Sequence, residues 1–132
     1  MIKLVPPAAI AARLAKALPL LQSSRWQSSA VTPVVTLKHL LFYDYVDDVL
    51  ERRDTYRSEH FQLAEKYCNN GMIEQAGAYQ NPVDGATFLF SEGTSRLAIE
   101  KFVQSDPYYV NGLVSKYSIK EWTVVVAGEG KR

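Results

Sequence analysis

Residues 37–46, which read LKHLLFYDYV, carry large apolar side chains at both odd and even positions. In an extended strand, successive side chains point to opposite faces. Leu37, Leu41, Tyr43 and Tyr45 then share one face, while Leu40, Phe42 and Val46 share the other. Residues 86–91 (ATFLFS) repeat the pattern, with Ala86, Phe88 and Phe90 opposed by Thr87 and Leu89. A sheet with one solvated face alternates apolar and polar residues. These strands do not, so both faces of their sheet call for cover.

The rest of the chain supplies cover for one face. Residues 47–70 have helix-forming composition, with a break near Asp54-Thr55. Tyr56, Phe61, Leu63, Ala64, Tyr67 and Cys68 fall largely on one stripe, and Asn69-Asn70-Gly71 stops the helix. Residues 72–79 (MIEQAGAY) read as a strand, and residues 80–85 (QNPVDG) have turn chemistry. Thr94 or Ser95 caps a second helix through Gln104, with Leu97, Ala98 and Phe102 on its apolar side, and Asp106-Pro107 ends it. Residues 118–127 (SIKEWTVVVA) form the last strand. The order β-α-β-β-α-β is a split βαβ pattern, an α+β ferredoxin-like fold. Two helices cover only one face of four strands. The simplest cover for the other is the same sheet of a second subunit, giving a homodimer with sheets packed face to face. One-sided burial with some exposed aromatics is the plainer alternative.

Charge divides the chain in two. Residues 1–30 hold Lys3, Arg13, Lys16 and Arg25 and no acid, so the remaining 11 basic and 14 acidic residues leave residues 31–132 with a net charge of −3. A helix over residues 8–21 places Ala9, Arg13 and Lys16 on one side and Ile10, Leu14, Ala17, Leu18 and Leu21 on the other. Arg-bearing, Ser-rich and acid-poor is the composition of a mitochondrial transit peptide. The expected arrangement is a presequence over residues 1–30, cut near Ser28, and one domain over residues 31–132 in the mitochondrial matrix. A secretory signal is disfavoured because Arg13 and Lys16 interrupt the apolar run. A basic surface helix retained on the mature protein is the rival reading.

Composition narrows the chemistry. A whole-chain charge of +1, and an acidic domain, argue against nucleic acid as a partner. No run of roughly 20 apolar residues exists to span a membrane. Cys68 is the single cysteine, so no internal disulfide forms, and with two histidines at no ligand spacing no metal site is expected. The absence of a Gly-rich phosphate loop or a nucleophile elbow disfavours nucleotide-dependent and serine-hydrolase reactions. No cofactor is expected.

Several segments together resemble a known family. Arg57-Ser58-Glu59-His60-Phe61, Asn70-Gly71 and Gly77-Ala78 occur in this order. They are followed by residues 106–114 (DPYYVNGLV) and then Ile119-Lys120-Glu121-Trp122. This pattern is similar to the YCII-related (YciI-like) family of dimeric α+β barrels, over about residues 37–127, with the Asp-Pro-Tyr segment and its trailing Gly the most specific element. The resemblance implies a ferredoxin-like fold, a dimer, and a fold shared with muconolactone isomerase. It also implies a His–Asp pair as a proton-transfer centre. The matching histidine is His60, and Asp84, in the turn before the third strand, is the nearest equivalent of the aspartate. The turn over residues 80–85 is shorter than in many bacterial members.

The residues themselves allow plainer roles. A carboxylate on one ring nitrogen fixes a histidine's tautomer and poises the other nitrogen as acid or base; His60 can equally hydrogen-bond within a helix–sheet interface. Arg57, three residues before His60 on one helical face, can receive an anionic substrate or pair with Glu59 or Asp54. Tyr108 and Tyr109 can contact substrate or anchor their loop. His39 reads as a core or barrel-lining residue and Cys68 as packing. Two function classes follow. The first is a cofactor-independent enzyme that moves a proton on a small polar metabolite in an isomerisation, lyase or dehalogenation-like step. The second is a non-catalytic dimeric binding module or an accessory subunit of a larger mitochondrial complex.

Overall fold

In the computed structural model, described over residues 35–130, the chain runs through eight elements in order. These are β1 (Thr36–Tyr45), α1 (Val49–Arg52), α2 (Asp54–Asn69), β2 (Ile73–Ala78), β3 (Gly85–Phe90), α3 (Arg96–Ser105), α4 (Pro107–Val110) and β4 (Val114–Val124). The strands form one antiparallel sheet in the order β2-β3-β1-β4. Each helical crossover thus skips one strand, which is the α+β ferredoxin-like arrangement. The basic segment 1–30 lies outside the described residues. Among the described residues no helix is long and apolar enough to cross a membrane.

From Leu41 onward strand parity sorts the side chains as the alternation requires, whereas Leu37, at the start of β1, is exposed. Leu41, Tyr43 and Tyr45 of β1 and Ala86, Phe88 and Phe90 of β3 are buried in one cluster with Ile99, Phe102 and Val103 of α3. Registers of Leu41 with Phe88 and Tyr43 with Ala86 place these side chains as neighbours on one face. Phe102 is the hub, meeting Tyr67, Phe88 and Phe90 edge-on at centroid separations of 5.0, 5.3 and 5.8 Å. Burying each such ring contributes on the order of 1.5–3 kcal/mol before entropy is counted. On the opposite parity, Leu40, Phe42 and Leu89 are only half-buried and Trp122 is exposed.

Local chemistry sets the helix ends. Ser95 accepts the Ala98 amide at 3.1 Å and caps α3. The break between α1 and α2 falls at Arg53, close to the expected interruption. α2 has no side-chain cap and starts with arginine at its boundary. Gly85 is required by space, because a Cβ there would run into the Tyr43 carbonyl oxygen. The main differences from the reading of the sequence lie around β4, which ends at Val124 and not at Ala127. β4 begins at Val114 and not at Ser118, since residues 114–117 continue the pairing with β1 past a register shift at Asp44/Tyr45. The Asp106-Pro107 stop also starts the short helix α4, which packs against both α2 and α3.

Candidate functional site

Asp106 organises the interior beneath α2. It stands at the boundary of α4 with Pro107 at the first helical position, an arrangement in which proline's missing amide costs nothing. Its Oδ1 accepts the Tyr108 amide at 3.0 Å, as a cap should. The same oxygen lies 2.8 Å from His60 Nδ1, and the other, Oδ2, accepts the Tyr43 hydroxyl at 2.8 Å. The side chain is fully buried. Three donors thus meet a carboxylate that water does not reach, which is the condition for burying such a group.

His60 is the one buried residue of α2. Its ring stacks on Tyr108 with centroids 3.8 Å apart and planes 3° from parallel, and it meets Phe88 edge-on at 6.4 Å. A carboxylate only accepts hydrogen bonds, so Nδ1 carries the proton toward Asp106. In the neutral ring that leaves the Nε2 lone pair unused among the described residues. The imidazole is therefore fixed in plane by Tyr108 and in tautomer by Asp106.

His60 forms part of the wall of a cleft of about 500 Å³ between α2 and the β2 side of the sheet. Arg53, Arg57, Phe61, Ala64, Glu65 and Cys68 come from α2 and its start, facing Ala76, Gly77 and Ala78 of β2. The small residues of β2 leave the room, and Phe88, Tyr45 and Tyr108 close the floor. The volume suits a small molecule. Burial pushes the Tyr108 phenol above its ordinary range, with Arg57 and Arg53 opposing the rise. Burial does the same to Tyr45, aided by Tyr108 and Asp106. For Tyr43 burial comes first, and the charge and hydrogen bond of Asp106 add to it. These phenols act as proton holders at neutral pH. Among the described residues no three His, Cys, Asp or Glu side chains converge to hold a metal.

The residues expected from the sequence divide. His60, Arg57 and Tyr108 come together at the cleft. Asp84 does not join them: it is exposed, and its backbone carbonyl accepts the Tyr45 amide at 2.9 Å. The carboxylate on His60 is Asp106, 46 positions away in the chain. Arg57 pairs with neither Glu59 nor Asp54; its guanidinium lies over the Phe61 ring, 5.1 Å from the centroid. Phe61 and Cys68, placed on the apolar stripe, are exposed at the cleft and do not pack in the core. The sequence held one signal for Asp106: an aspartate before Pro-Tyr-Tyr caps with one oxygen and keeps acceptor capacity to spare.

Comparison with known proteins agrees with this architecture. The YCII-related domain profile matches residues 37–123. No curated relative matches the sequence. A solved structure, the 5-chloro-2-hydroxyhydroquinone dehydrochlorinase of Burkholderia phenoliruptrix AC1100 in complex with 2,5-dihydroxybenzoquinone, superposes with a TM-score of 0.56 at 18% identity. The alignment covers 64% of this chain and 92% of that one. At that identity the likeness is one of fold.

Proposed function

The chain belongs to the YCII-related family, and on that premise we propose that it is a cofactor-independent enzyme in which His60 moves a proton on a small polar metabolite held in the cleft. The observation that carries this reading is the 2.8 Å hydrogen bond from His60 Nδ1 to the buried Asp106, at the wall of a cleft sized for a ligand. With Nδ1 committed, Nε2 takes a proton from the substrate. The imidazolium that forms is stabilised by the Asp106 carboxylate, and the proton then returns to a different substrate atom or to a leaving group. Asp106, and not Asp84, takes the orienting role in this reading. The likeness in fold to a dehydrochlorinase supports a small-molecule reaction, although a fold by itself does not select one.

The working unit is proposed to be a homodimer. Helices cover the Leu41–Tyr43–Phe88 face, and the second face carries Leu40, Phe42, Leu89 and Trp122. An apolar sheet face of this kind suits the equivalent face of another copy. The proposed location is the mitochondrial matrix, on the strength of the acid-free residues 1–30 alone.

Incubation of the protein in D2O with a panel of enolisable keto acids, unsaturated lactones and hydroxyquinones tests the reading. At least one compound should gain deuterium or turn over, and the effect should vanish in His60→Gln. If no compound shows a change that depends on His60, the cleft serves binding alone, and the module or accessory-subunit reading replaces this one.

A further inference from the structure

Two arginines, Arg53 and Arg57, stand at the cleft without a carboxylate partner among the described residues. Lys38, Arg52, Arg96 and Lys116 each reach a carboxylate at 2.9–3.6 Å. Among the described residues neither Arg53 nor Arg57 does, and Arg57 Nε is buried with no hydrogen-bond partner. An unsatisfied buried donor is costly and rare in a folded protein. Both residues also lie at the start of α2, where the helix dipole disfavours positive charge. Helix stability therefore does not account for them. Their field reaches into the cleft, since both pull against the burial-driven rise of the Tyr45 and Tyr108 phenols.

The remaining walls describe the rest of a ligand. Phe61, Phe88, Ala64 and Tyr108 present apolar and largely flat surfaces, and the parallel His60–Tyr108 stack shapes one side. Glu65, also at the cleft, lies two turns further along α2 than Arg57 and repels an anion from that end. Arg57 precedes His60 by three residues on the same helical face, so a group held at Arg57 lies beside the imidazole.

We propose that the cleft takes a planar organic carboxylate, about one ring in size, with its anionic head on Arg57 and Arg53 and its flat body against Phe61, Phe88 and Tyr108. The inference rests on the acid–base reading of the cleft and adds the class of molecule it accepts. A guanidinium fork matches a carboxylate in two hydrogen bonds, and a turn of the Arg57 side chain on binding would bring its unpaired Nε–H to such a ligand.

The test is calorimetric titration of the full chain with benzoate, salicylate and cinnamate, each beside its neutral amide. At least one acid should bind about ten-fold or more tightly than its amide, the loss expected when a charged hydrogen bond is removed. Arg57→Gln should erase that preference and Arg53→Gln should reduce it. Arg57→Lys, which keeps the charge without Nε–H, should fall between, and it serves if the glutamine variant fails to melt cooperatively. Equal binding of acid and amide, or no binding of any acid by the wild type, overturns the proposal. A preference unaffected by Arg57→Gln in a folded variant does the same. His60→Gln should keep the preference for acid over amide while losing proton exchange. If acids bind but His60 never affects exchange, the anion seat stands and the acid–base reading falls.

Discussion

Tyr43 and Asp106 meet across 63 positions of sequence through a 2.8 Å hydrogen bond buried between sheet and helices. The phenol thereby secures the carboxylate oxygen that His60 and the Tyr108 amide leave free. Tyr43→Phe keeps the ring packing and removes the donor, so it should cost about 1.5–3 kcal/mol, the range for a hydrogen bond to a charged group. Urea unfolding of the two proteins measures this, and a loss below about 0.5 kcal/mol would show that the bond contributes nothing net.

The same phenol predicts an alkaline limit. Tyr43 and Tyr45 are both held protonated well above the ordinary tyrosine range, chiefly by burial. Unfolded tyrosine loses its proton near about pH 10. Below that pH both states are protonated and stability is at its full value. Above it the unfolded chain releases protons that the fold retains, so stability falls by about 1.4 kcal/mol per pH unit for each such residue. Denaturation midpoints measured from pH 8 to 11 should bend downward near pH 10, and less steeply in Tyr43→Phe. A flat profile would show that the phenols titrate normally.

Asp106→Asn and Asp84→Asn form a matched pair that separates the two candidate partners of His60. Asparagine at 106 still caps α4 but removes the charge facing the imidazole, and it should cost about 1–3 kcal/mol as well as any His60-dependent turnover. At 84 the exposed side chain makes no bond to His60, and the change should stay within about 0.5 kcal/mol. Nitrogen-15 spectra should report an Nδ1–H imidazole in the wild type and in Asp84→Asn, with the tautomer redistributed in Asp106→Asn. If the two variants behave alike, Asp106 does not orient the ring.

The choice of aspartate shows where a sequence stops being informative. The parity of residues 37–46 and 86–91 marks the buried face of β1 and β3, because alternation is a property of neighbours in the chain. The turn Asn69-Asn70-Gly71 and the cap Ser95 are legible for the same reason. Asp106 acts on His60 from 46 positions away, and no local pattern reports which of several acids a fold will bring to a histidine. Asp84 lies nearer in the chain, yet its position between β2 and β3 leaves it exposed. The sequence reading starts the last strand only at Ser118, because β4 is an edge strand with few buried positions, and pairing with β1 makes residues 114–117 (VSKY) strand as well. Phe61 and Cys68 satisfied the helical stripe, but the small side chains of β2 stop short of them, and they line the cleft instead.

Assembly is tested at Phe42, on the face that the helices do not cover. Phe42→Asp would bury a carboxylate in a sheet–sheet contact and should dissociate the dimer, with sedimentation showing dimeric wild type and monomeric variant. A wild type that remains a soluble monomer at high concentration rules out the face-to-face dimer.

Import is tested at the N-terminus. Mass spectrometry of the protein from its native cells should find a chain beginning between Trp26 and Leu37. An intact Met1 on the organellar protein, or a cytosolic pool alone, would exclude cleavage on import.

Because Asp106 holds both the Tyr108 amide and the imidazole on one oxygen, any movement of that carboxylate loosens the first turn of α4 and the orientation of His60 together. Solvent deuterons can replace the Tyr108 amide hydrogen only when that oxygen lets it go. Its exchange rate in native conditions is therefore a ceiling on how often the carboxylate leaves its place, and the histidine loses its anchor, in a resting molecule that has met no substrate.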